Sequence, residues 1–75
     1  MRAAYAEDDV RAAQLELERL GCDTGPVNGA FTTETEASLR AFQRDHGLRP
    51  HGALDARTKA ALAASAASAA RRTTR

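Results

Sequence analysis

The chain has no tryptophan and no isoleucine, and only two phenylalanines, one tyrosine, one cysteine and one methionine among 75 residues. So few large side chains exclude a deep core and a deeply enclosed active site, because a chain this short buries only about 60% of the surface it exposes when unfolded. Of its 32 apolar residues 18 are alanine, which leaves about a dozen side chains able to fill space. The lone Cys22 excludes an internal disulfide framework and reads as a small core hydrophobe. No apolar run has the length of a secretory signal or a membrane span, so the chain is expected to be made in the cytoplasm, and work outside it implies delivery to the cell envelope by another route. Eleven basic residues against ten acidic ones give a formal charge of +1. That is far from the basic surplus of phosphate-backbone binders, so neither nucleic acid nor membrane is an expected partner.

The apolar residues that are present fall in helical order. Val10, Ala13, Leu17 and Leu20 line one face of a first helix, with Asp8 or Asp9 as its cap, Gly21 as its end and Leu15 on the opposite face. Residues 23–29, Asp-Thr-Gly-Pro-Val-Asn-Gly, concentrate turn formers. A second helix begins at Thr32 or Thr33, where Thr33 and Glu36 fit a capping box, and it turns Thr35, Ser38, Leu39 and Phe42 inward. Gly47 ends that helix and lets Leu48 fold back onto Phe42. After the turn at residues 49–52, Asp55 caps a third helix starting near Ala56. Past Leu62 the alanine-serine run favours helix but offers nothing large to bury, and Arg71 and Arg72 suit its negative pole. The expectation is an all-α, compact three-helix bundle.

Catalytic chemistry finds little support. His46 and His51 stand five residues apart across a helix-ending glycine, without the partners a zinc site needs, so no metal or other cofactor is expected. Asp8-Asp9 and Glu34-Glu36 sit at helix starts, where the dipole accounts for them. Cys22 and the serines have no base at an informative spacing. The chain therefore reads as a non-enzymatic binding module.

Sliding the sequence on itself by 23 positions aligns Asn28–Leu39 with His51–Leu62, and Gly, Ala, Thr, Ala and Leu coincide. Each copy reads as a turn-helix unit: a tight glycine turn, an apolar anchor plugging the core (Phe31 or Leu54), a cap (Thr32 or Asp55), and a threonine whose hydroxyl bonds back to the turn. The two units plus the first helix make a pseudo-symmetric bundle. The ordered set Val10, Gln14, Leu17, Leu20-Gly21; Gly25 to Phe31; Thr35; Phe42-Gln43; Gly47-Leu48; and His51-Gly52 with Thr58 resembles the peptidoglycan-binding-domain type 1 family, without gaps from Val10 to Leu62. Asn28 and His51 stand where that family usually has Asp in both turns, and Thr32 stands where it has Gly.

The resemblance implies a three-helix domain over residues 9–63, between an N-terminal extension at 1–8 and an Ala/Ser-rich helical extension with a basic tail at 64–75. It also implies attachment to bacterial cell-wall peptidoglycan, through glycan or stem peptide. The ligand-binding residues expected on that reading are Asn28, Gly29, Phe31, Thr35, His51 and Gly52 at the turns, together with the turn backbone amides. Arg40, Arg44 and Arg57 are expected to pair with stem-peptide carboxylates. The alternative is a protein-protein adaptor on the same scaffold, a component of a phage-like or other multiprotein particle, for which the helix-forming tail and the altered turn residues speak.

Overall fold

A computed structural model describes residues 5–73, with side chains through Ser68. Residues 1–4 of the N-terminal extension and residues 74–75 of the basic tail lie outside the described residues, as do the side chains of Arg71 and Arg72. Three helices follow one another: α1 (Glu7–Arg19), α2 (Thr33–Asp45) and α3 (Ala56–Thr73). The described residues contain no strand, and the all-α three-helix reading holds.

Helix α1 starts earlier than its apolar periodicity indicates. Its N-cap is Ala6, without a side-chain cap, and Glu7, Asp8 and Asp9 all lie within the first turn. The expected aspartate cap is therefore replaced by three carboxylates placed against the positive end of the helix dipole. Its other end closes as expected: the Cys22 amide donates to the Leu17 carbonyl at 2.9 Å and the Gly21 amide to Glu18 at 3.0 Å, the paired bonds of a glycine-closed terminus. Helix α2 closes the same way, with the Leu48 amide on Gln43 at 2.8 Å and the Gly47 amide on Arg44 at 3.3 Å. At the start of α2 the cap is Thr32, whose hydroxyl accepts from the Thr35 amide at 3.2 Å. The Thr33–Glu36 capping box does not form, because Glu36 lies one residue too far along for a helix capped at Thr32 and bonds Arg40 instead.

The core gathers Val10, Ala13 and Leu17 from α1, Leu39 and Phe42 from α2, and Leu54 with Leu62 from the second unit. Helix α1 packs against both other helices, more extensively against α3. Leu17, Leu39 and Leu62 are fully buried, each such side chain stabilising the fold by roughly 1.5–3 kcal/mol. Cys22 is half-buried beside this core, and burial, then nearby Asp45, raises its thiol above the ordinary range.

Two parts of the chain read as extensions join this body. Tyr5 packs on the core, and its hydroxyl accepts from the Leu54 amide at 3.1 Å. Helix α3 continues unbroken past Leu62, Ala66 is buried, and the Ser65 hydroxyl lies 3.2 Å from His46 Nε2. His46, exposed at the end of α2, stacks on Phe42 with centroids 4.0 Å apart and bonds the Phe42 carbonyl through Nδ1 at 3.0 Å. Its imidazole ties the end of α2 to the α3 extension.

Candidate functional site

Each of the two turns is built around a buried glutamine, and both glutamines are fully shielded from solvent. The Gln14 carbonyl accepts from the Gly29 amide at 2.8 Å and the Asn28 amide at 3.1 Å, while its amide nitrogen donates to the Ala30 carbonyl at 2.8 Å and Thr35 Oγ1 at 3.0 Å. Gln43 repeats the pattern. Its carbonyl accepts from the Gly52 amide at 2.9 Å, and its nitrogen donates to the Ala53 carbonyl at 2.9 Å and Thr58 Oγ1 at 3.0 Å. A side-chain amide has two donors and a two-lone-pair acceptor, so it can replace the backbone partners that a tight turn cannot give itself. Among the described residues no buried side-chain polar atom lacks a partner.

The outer surface of each turn is closed by the residue that departs from the family's aspartate. Asn28 Oδ1 accepts from the Ala30 amide at 2.9 Å, and His51 Nδ1 accepts from the Ala53 amide at 2.9 Å. An imidazole nitrogen thus does the work of a carboxamide oxygen, which assigns the His51 proton to Nε2, 3.1 Å from Asp55 Oδ2. Asp55 in turn caps α3, with the Thr58 amide 2.9 Å from Oδ1. Hydrogen bonds from Thr58, then the contact with His51, hold its carboxyl below the usual carboxylate range.

Glycine is required where these turns meet the helices. Gly29 has φ +86°, and a β-carbon there would strike the Glu7 side chain and sit 3.0 Å from the Glu7 carbonyl oxygen. Gly52 has φ +77°, and its β-carbon would lie 2.9 Å from Glu36 Cγ and 3.3 Å from Arg40 Nη2. Left-handed backbone and close approach together exclude any side chain at either position without movement of a neighbour.

Between the two turns runs an open groove of about 680 Å³, within the span of roughly 300–1,000 Å³ common for small-ligand sites. Gly29, Phe31, Thr32, Thr33 and Glu36 line it from the first unit, His51, Gly52 and Ala53 from the second, and Tyr5 and Val10 from the N-terminal side. Of the residues expected to bind ligand, the groove brings together Gly29, Phe31, His51 and Gly52. Phe31 is not the core plug expected of it: it is 36% exposed, and its ring leans on Tyr5 with centroids 5.2 Å apart and planes at 58°. Its counterpart Leu54 is buried.

The remaining expected residues are dispersed. Asn28 is exposed at the turn with its side chain closing the turn itself. Thr35 is buried beneath the turn, its hydroxyl donating to the Thr24 carbonyl at 3.1 Å and accepting from Gln14. Arg40 stands beside the groove, bonded to Glu36 at 3.0 Å. Arg44 is exposed in the last turn of α2. Arg57 faces a separate depression with Leu48, Arg49 and Asp55, on the other side of His51. The amides of Asn28, Gly29 and Gly52, expected to face a ligand, point inward to the glutamines. Sequence reasoning missed Tyr5, Thr32, Thr33 and Glu36 as groove residues. Glu36 and Arg40, four apart on a helix, were the one legible hint of an ion pair at its rim.

Among the described residues no group of three or more His, Cys, Asp or Glu could hold a metal ion, and no helix is long and apolar enough to cross a membrane.

Comparison with known proteins bears directly on this arrangement. The chain is 38% identical over 55 residues to the localization factor PodJL of Caulobacter vibrioides, which covers 73% of this chain and 6% of that protein. It is 42% identical over 45 residues to the N-acetylmuramoyl-L-alanine amidase CwlM of Mycobacterium tuberculosis, 60% of this chain and 11% of that protein. It thus spans only a small part of either relative. No solved structure matches it significantly. The family described as "Putative peptidoglycan binding domain" matches residues 6–62, a stretch that holds both glutamines, both turns and the starts of both following helices, and the chain belongs to that peptidoglycan-binding domain family.

Proposed function

We propose that this chain attaches to bacterial cell-wall peptidoglycan through the groove between its two turns. The observation that carries the reading is the groove itself. Two units that converge there leave an aromatic ring, Phe31, about a third exposed at the groove although the chain has few large apolar side chains to bury its core. An exposed ring on a scaffold so short of them is better explained by contact with a ligand than by folding. The similarity to part of a cell-wall amidase supports the same reading at family level. Attachment is non-catalytic, made by a shallow and pre-formed surface. The test is retention on insoluble sacculi. The chain should sediment with them, and Phe31→Ala should lower retention about tenfold while the thermal transition stays within a few degrees. Equal retention of both proteins would remove the groove from the function.

A second reading as an adaptor in a larger assembly draws support from α3, which continues well beyond the family match and is fixed to α2 through Ser65 and His46. Similarity to a localization factor agrees with it. Light scattering at increasing concentration, and with candidate envelope proteins, tests for a partner. Unchanged association after truncation at Ala64 would count against any part played by the α3 extension.

A further inference from the structure

The charges around the groove bear on which part of peptidoglycan it holds, on the premise that this groove is the attachment site. A stem peptide presents carboxylates, and binding them requires a cation free to meet them. The guanidinium beside the groove is Arg40, and it is bonded to Glu36 at 3.0 Å. Glu36 itself lines the groove, and Glu7 stands against Gly29 at its edge. His51 turns its Nε2 proton to Asp55 and its other nitrogen to the Ala53 amide. Arg44 and Arg57 do not line the groove. The described groove therefore offers carboxylate and hydroxyl oxygens together with an aromatic face, and no unpaired cation.

Such a surface suits a ligand that brings hydroxyl and amide donors and has an apolar face of its own. We propose that the groove takes the glycan strand, an uncharged run of N-acetylated amino sugars, in preference to the stem peptide. Sugar hydroxyls and acetamide N–H groups would donate to Glu36 and to the Thr33 hydroxyl, and the C–H face of a ring would lie on Phe31. An uncharged ligand also avoids bringing a further negative charge up to Glu7 and Glu36.

The experiment uses the full chain, labelled with nitrogen-15, with three probes: intact sacculi, an uncharged chito-oligosaccharide, and a soluble stem peptide with a free carboxylate. Expected results are retention on sacculi, oligosaccharide-induced shifts centred on Phe31, Thr33 and Glu36, and affinity unchanged as salt rises from about 0.05 to about 0.5 M. Phe31→Ala should weaken the oligosaccharide about tenfold. Glu36→Gln, which releases Arg40, should instead improve binding of the stem peptide. Failure of sacculi to retain the chain overturns the attachment reading itself. Retention without oligosaccharide shifts, or with salt-sensitive shifts from the stem peptide alone, overturns only the glycan assignment.

Discussion

In the first unit the buried glutamine comes from α1, fourteen residues before Asn28; in the second it comes from α2, eight residues before His51. Both arrive at the same set of partners, a turn amide, a turn carbonyl and the threonine at the third position of the following helix. The apolar anchors behave oppositely, since Leu54 is buried and Phe31 is exposed. Tyr5 lies between them, its hydroxyl on the Leu54 amide and its ring on Phe31. The comparison teaches that the polar interior is what the two units repeat, while their apolar anchors are free to differ in burial.

Removing the glutamines should break the comparison most severely. Gln14→Ala would leave two amides, a carbonyl and a hydroxyl without their partner. The expected loss is about 4 kcal/mol, enough to unfold so small a domain, against about 3 kcal/mol for Gln43→Ala, where one turn amide rather than two loses its acceptor and the fourth contact, to His51 Nδ1, is long at 3.4 Å. Urea unfolding of both variants measures the difference, and equal losses would mean the extra Asn28 bond contributes nothing. The anchors come next. Leu54→Ala should lower stability by about 3 kcal/mol, whereas Phe31→Ala should lower it by under about 1 kcal/mol, so that calorimetry separates the two although the sequence aligns them.

The caps give a smaller and pH-dependent contrast. Thr32→Ala and Asp55→Ala should each cost about 1 kcal/mol at neutral pH. The Asp55 carboxyl is held below its ordinary range when folded, so its contribution is present above the unfolded carboxylate value and fades as pH falls through the folded one. The Thr32 contribution should not change over that window. Stability curves for both variants against the parent, recorded down to acid pH, should therefore converge for Asp55→Ala and stay parallel for Thr32→Ala.

The smallest effect concerns His51. His51→Asn would supply a carboxamide oxygen where Nδ1 now accepts from the Ala53 amide, as Asn28 does for Ala30, and would give up the contact with Asp55. Its stability should stay within about 0.5 kcal/mol of the parent, as urea unfolding measures, whereas His51→Ala, which leaves the Ala53 amide without an acceptor, should lower it by about 1 kcal/mol.

Much of the fold was legible. Thr32 and Asp55 marked the helix starts because a hydroxyl or carboxylate before an apolar run has one common use, and Gly21 and Gly47 marked the ends. The start of α1 was misjudged because apolar periodicity begins at Val10 while three carboxylates extend the helix back to Glu7. The site was less legible. Gln14 and Gln43 belong to the family pattern, but their unequal distances from the turns place them outside the 23-residue repeat, so the residues that hold the units together do not appear as part of them. Phe31 looked like Leu54 because sequence records polarity, and burial depends on which neighbour covers the ring. Tyr5 lay in a stretch with no pattern of its own.

The inward aim of the turn amides has a consequence for how such modules diversify. Because Gln14 and Gln43 hold the backbone from below, the side chains that line the groove can change without the chain having to learn to fold again. A library randomised at Phe31, Thr33, Glu36 and His51, with both glutamines kept, should return folded members at high frequency. If the groove is the attachment site proposed above, ligand preference in this scaffold can be exchanged over evolutionary time, or at the bench, as a property of its outer layer.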